Sequence, residues 1–112
     1  MTASTALRTS VATHITTVVT HIGLVDAGGN ELTGGTYARL PAAMVVAAQM
    51  ARPAANLNFS VPAGSTVGGW RGYSALSGGT DWGGDDLVQE SYTADGTYTL
   101  LAASTGYPVT AI

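Results

Sequence analysis

Apolar residues recur along this chain at two different spacings, which separate one helical segment from a run of strands. Leu7, Val11 and Ile15 lie four apart, the interval that places side chains on one face of a helix, with Thr2 or Ser4 available as caps. The many threonines of this segment are mediocre helix formers, so an extended arm over residues 1–16 competes with the helix. From Thr17 to Asp26 the β-branched residues concentrate, with Val18, Ile22 and Leu24 on one side and Val19, His21 and Val25 on the other. That pattern predicts a strand covered on both faces. Leu57, Phe59 and Val61 alternate with Asn58 and Ser60 up to Pro62-Ala63-Gly64, the signature of a half-buried strand. A further strand is expected over Thr66 to Leu76, where glycines flank Trp70. Leu87 to Thr93 and Thr97 to Ala102 flank Ala94-Asp95-Gly96, and the Asp-Gly pair predicts a hairpin joining them. A last short strand is expected from Pro108 to Ile112.

Between these segments the punctuation is glycine-rich. Asp26-Ala27-Gly28-Gly29-Asn30, Thr33-Gly34-Gly35 and Ser77-Gly78-Gly79 supply the positive φ angles and local side-chain hydrogen bonds that turns require. One stretch stays open. Tyr37-Ala38-Arg39-Leu40 reads as a strand, but Pro41 followed by Ala, Met and Gln up to Pro53 has the propensity of a capped helix, so residues 41–52 fit either state. The expected fold class is all-β: a small antiparallel β-sandwich or barrel of six to seven strands with a short N-terminal helix or arm. Residues 1–16 form the helix or arm, and residues 17–112 form the β domain.

The chain has 112 residues, enough for one core. Only 10% of them are charged, so much of the surface is Thr, Ser, Gly and Ala, and covering part of it with a partner is the expected remedy for self-association. The formal charge of −3 and four scattered arginines, Arg8, Arg39, Arg52 and Arg71, argue against a nucleic-acid partner. With neither Cys nor Lys, thiolate nucleophiles, Cys-based metal sites, disulfides and lysine Schiff bases are excluded. No basic region leads into an apolar leader at the start and no run reaches membrane-spanning length, so the mature chain is expected to begin near Met1 and no membrane partner is expected.

Candidate chemistry is sparse. Asp81, Asp85 and Asp86 crowd a glycine-flanked segment suited to an oxygen-liganded cation such as calcium, although it does not match the EF-hand loop and a solvated acidic loop explains it as well. No other cofactor is implied. Trp82 in that segment, with Tyr73, could stack on a sugar ring, while the competing role for Trp82 is to anchor the loop. His14 and His21, seven apart, share a face only if the helix continues. No nucleophile motif accompanies them, so catalysis is not expected; an acid pair such as Asp81 with Asp85 or Glu90 meets the bare requirement of glycoside hydrolysis but so would any two acids there. Asn58-Phe59-Ser60 spells a glycosylation acceptor but falls inside a strand. The apolar block from Leu40 to Ala51 is core or interface; Leu40, Met44, Val46 and Met50 from it, with Leu7, Val11 and Ile15, are the candidate interface residues.

Four segments together resemble a family of small virion proteins of tailed phages, represented in phages of actinobacteria. They are Ile22-Gly23-Leu24-Val25-Asp26, Leu32-Thr33-Gly34-Gly35-Thr36-Tyr37-Ala38-Arg39, the strand and turn from Phe59-Ser60-Val61-Pro62-Ala63-Gly64 to Trp70, and Gly96-Thr97-Tyr98-Thr99-Leu100. The resemblance covers roughly Thr17 to Ala102 and rests on turn and strand signatures. It implies a β-sandwich virion component, tail-fibre-like, minor tail or head-decorating, with no enzymatic residues, and it favours strand over Tyr37 to Val46. The expected partners are copies of the same chain, a trimer being favoured, and the major capsid protein or tail and collar proteins. A receptor- or glycan-binding module of a tail fibre is the alternative.

Overall fold

The computed structural model describes residues 3–110, so Thr2, expected as a possible cap, and Ala111 and Ile112, expected in the last strand, lie outside the described residues. The N-terminal segment is a helix, α1 (Thr5–Val18). Ser4 caps it, its Oγ accepting from the Leu7 amide at 3.2 Å. The threonines fit because Thr13, Thr16 and Thr17 donate their hydroxyls back to the carbonyls of Thr9, Thr13 and His14. The helix runs two residues past the boundary expected at 16, taking Thr17 and Val18 out of the following strand. It packs on the hairpin formed by strands β3 (Met44–Ala47) and β4 (Met50–Pro53).

The remaining strands are β1 (His21–Val25), β2 (Leu40–Pro41), β5 (Leu57–Val61), β6 (Thr66–Tyr73), β7 (Asp81–Ser91), β8 (Gly96–Leu100) and β9 (Tyr107–Pro108). They form three antiparallel sheets, ordered β2-β1-β6-β7, β3-β4-β9 and β5-β8. The architecture is a small β-sandwich, as the alternating patterns predict, with nine strands rather than six to seven because residues 41–52 contribute two, β3 and β4. The strand expected from Tyr37 is confined to Leu40–Pro41, since Tyr37 to Arg39 are non-regular, and the last strand is the two-residue pairing Tyr107–Pro108. Ile22 and Leu24 from β1, Val67 and Trp70 from β6, Leu57, Phe59 and Val61 from β5 and Leu100 from β8 interlock in one core. Burying each large apolar side chain contributes about 1.5–3 kcal/mol. Among the described residues no helix is long and apolar enough to cross a membrane.

One open segment is decided and two expectations change. Residues 41–52 are a hairpin, joined by Ala48 and Gln49 at φ of 51° and 55°. Neither residue favours that left-handed region, which costs roughly 1–2 kcal/mol per non-glycine residue; pairing with β4 and packing under α1 outweigh both this cost and the helical propensity. The Asp-Gly pair at 95–96 does not join its neighbours into a hairpin: β7 pairs with β6 and β8 with β5. The Asp95 carboxylate instead accepts from the Ala63 amide at 2.8 Å, and a side chain on Gly96 would collide with the Tyr92 ring. Local turn chemistry marks a reversal without naming the strands that pair across it.

The second change is the acidic segment Asp81 to Asp86, which is strand rather than loop. Its glycines serve close approach, since a Cβ on Gly84 would run into the Trp70 backbone, and Gly83, at φ 84°, lies where β7 bulges against β6.

Candidate functional site

The signature segment Leu32 to Arg39 leads into a densely connected polar cluster. Glu31, bridged to Val25 at the end of β1, accepts from Arg39 Nε and Nη2, each at 2.9 Å, and from the Tyr37 hydroxyl at 2.8 Å. Tyr37 in turn accepts from the Leu24 amide at 3.0 Å. Arg39 Nη1 donates to the carbonyls of Ala75 and Gly78, at 2.9 and 2.8 Å, and the guanidinium lies 3.5 Å from the centre of the Tyr73 ring. A guanidinium has five N–H donors in a fixed fork, so Arg39 is nearly saturated. It ties the 26–39 loop and the β6–β7 turn to the same edge of the sheet.

The electrostatics agree with a closed structural clasp. Burial pushes the Glu31 carboxyl up, but the hydrogen bonds from Arg39 and Tyr37 and the Arg39 charge hold it below its ordinary value. Burial, and then donation to Glu31, push the Tyr37 hydroxyl well above its ordinary value, while Arg39 is raised chiefly by its bond to Glu31. Elsewhere in the fold, Tyr107 packs edge-on against the Trp70 indole at 5.3 Å and donates to the Gly83 carbonyl at 2.7 Å; burial pushes it up to about 12. None of these groups is poised to exchange protons near neutral pH, and their hydrogen-bonding capacity is turned inward.

The candidate interface residues divide. Leu40 and Met44 pack against the chain's own core, and Val11, Ile15 and Met50 are half-buried. Ala12, not the Leu7–Val11–Ile15 stripe, is the fully buried position of α1, which leaves Leu7 54% exposed. Val46 is exposed, and so is its neighbour Val45, which is not among those candidates. Two adjacent β-branched residues in a four-residue strand were the available signal.

Tyr73 is not available to a sugar, being buried with Arg39 over its ring. Trp82 is an anchor, although its partner is the helix: Nε1 donates to the Val18 carbonyl at the C-terminal end of α1, at 3.1 Å. The indole remains 45% exposed. Asp81 accepts from the Gly83 amide and Asp85 from the Asp86 amide, at 2.7 and 2.9 Å, while Asp86 lies 3.8 Å from Arg71. No group of three His, Asp or Glu side chains able to hold a metal occurs among the described residues. His14 is exposed on α1, whereas His21 shares a hydrogen bond with Thr20. Asn58 receives the Thr99 hydroxyl across the β5–β8 pair, inside a strand as expected.

Sequence reasoning missed the outer edge of β7. This strand is eleven residues long, pairs only with β6 and buries no side chain; Gly83 and Leu87 are half-buried and the other nine are exposed. Val88 is 92% exposed. An open groove of about 650 Å³ between Asp26-Ala27-Gly28, Ala63 to Thr66 and Gln89 holds carboxylates already bonded within the chain, Asp26 to the amides of Gly28 and Asn30 and Glu31 to Arg39. Comparison with the models of known families, with curated proteins and with solved structures finds no match in any of the three.

Proposed function

We propose that this chain is a non-enzymatic structural protein of a tailed-phage particle, an accessory component that assembles on the capsid lattice or the head-tail apparatus as a homo-oligomer, a trimer being favoured. The observation that carries the reading is an apolar surface without acidic residues. Leu7 on α1 and Val45 and Val46 on β3 are exposed, α1 packs on β3 and β4, and α1, β3, β4 and β9 contain no Asp or Glu. Exposed apolar surface of this kind is stabilised by contact with another protein surface. The resemblance to phage virion proteins supplies the setting, and its motif residues Tyr37 and Arg39 take structural places. The glycan-binding alternative rests on Trp82 alone.

Quantitative mass spectrometry of purified virions tests the setting. A count near that of the major capsid protein is expected for decoration and a small definite count for collar, tail or fibre; absence from particles overturns the reading. For assembly, Val45→Glu with Val46→Glu is expected to convert the oligomer to monomer in sedimentation velocity without unfolding it.

A further inference from the structure

Edge strands leave a row of backbone N–H and C=O groups open to pairing with another chain. β7 is such an edge and it is acidic: Asp81, Asp85, Asp86 and Glu90 lie along it, with no cation of its own. Asp86, whose side chain is 92% exposed, and Glu90 flank the exposed Val88, while Leu87 between them packs against the core. Positions 86, 88 and 90 thus expose acid, apolar and acid side chains, with Gln89 exposed beside them.

The charge pattern selects the occupant. Pairing of β7 with β7 of a second copy would set carboxylates against carboxylates, which is destabilising across strands. The other strands with a free edge, β2, β3, β5, β8 and β9, carry neither Lys nor Arg; Arg52 and Arg71 lie on the interior strands β4 and β6. No free strand edge among the described residues can supply the complementary charge. We infer that the β7 edge receives an extended segment of a different protein, with cationic residues alternating about an apolar one, added as a further strand of the β2-β1-β6-β7 sheet. This inference rests on the assembly reading and names the second partner of that assembly, distinct from the like copies that the Leu7, Val45 and Val46 surface would meet.

The bulge of β7 frames where such a segment would sit. Val67 pairs with Glu90 and Gly69 with Asp86, so Leu87, Val88 and Gln89 together oppose Gly68 and have no Cα partner in β6. Val88→Pro therefore removes a backbone donor within the bulge without removing a register pair, and is expected to block strand addition at its centre.

The test is hydrogen–deuterium exchange of the full chain with two synthetic peptides. One has lysine, valine and lysine at alternate positions with threonine between; the other has glutamate in place of lysine. The expected result is that the lysine peptide slows exchange over residues 84–91, the glutamate peptide does not, and Asp86→Asn with Glu90→Gln weakens binding about tenfold. Val88→Pro, with unchanged melting, is expected to abolish the protection. Protection by neither peptide, or equally by both, overturns the inference and leaves the carboxylates and the bulge as guards that keep the edge unpaired. Such a failure with the chain still present on virions leaves the proposed function standing; protection of β7 by a chain absent from virions overturns only the virion setting.

Discussion

The clasp around Arg39 and the edge of β7 lie on the same sheet and are built from similar residues, carboxylates and an arginine beside glycine-rich turns. They differ in where their polar groups point. In the clasp Glu31, Tyr37 and Arg39 bond to one another and to backbone, and the guanidinium covers the Tyr73 ring. Along β7, Asp85 and Asp86 reach only the adjacent backbone and a long contact with Arg71, and Val88 has nothing over it. Charge that is enclosed and fully bonded holds a fold, whereas charge on an open strand edge governs what can approach it.

The largest expected effect falls on the clasp. Arg39→Ala leaves Glu31 with the Tyr37 hydroxyl but without its cation, and the Ala75 and Gly78 carbonyls without the guanidinium donor, and is expected to cost about 3 kcal/mol. Thermal unfolding should show this as a drop of roughly 10 °C. A variant that melts with the wild type would place the clasp among weak surface ion pairs and erase the contrast.

The pH dependence sharpens it. Because the Glu31 carboxyl is held below 4.5, its contribution is present above that pH and is lost as pH falls through the lower folded value. Glu31→Gln should flatten the acid limb of the stability profile. Tyr37 and Tyr107 are raised above 10, so their contribution is present below pH 10 and is lost as pH rises beyond it. Tyr37→Phe should reduce that alkaline loss, read by denaturant unfolding between pH 9 and 11.

A smaller change, opposite in sign, is expected at the β3–β4 turn. Ala48→Asn tolerates the positive φ better and should stabilise by about 0.5–1 kcal/mol, raising the melting temperature by a few degrees. The smallest effect belongs to β7: Asp86→Asn with Glu90→Gln should change stability by less than about 0.5 kcal/mol, because exposed charges contribute little to folding. A large loss there would make β7 a fold element like the clasp.

Much of the core was legible. Leu57, Phe59 and Val61 alternate along β5 and are all buried, and the β-branched run over β1 is covered on both faces as its composition demands. Tyr37 and Arg39 were visible as a motif, but their partner Glu31 was not, because a loop closure brings it to Arg39 and no periodicity marks such a closure.

The sequence by itself determined the class of fold and the exclusion of cysteine and lysine chemistry, since these depend on local patterning and on which side chains exist, and it narrowed the start of the chain to a helix capped by Thr2 or Ser4 or an extended arm. Tertiary structure decided the rest. It settled whether residues 41–52 are strand or helix, which strand takes β7, and whether the Asp81 to Asp86 segment is loop or edge. Those outcomes turn on which distant surface offers a pairing edge and a place to bury apolar atoms, and propensity differences of a fraction of a kcal/mol per residue are too small to decide between such offers.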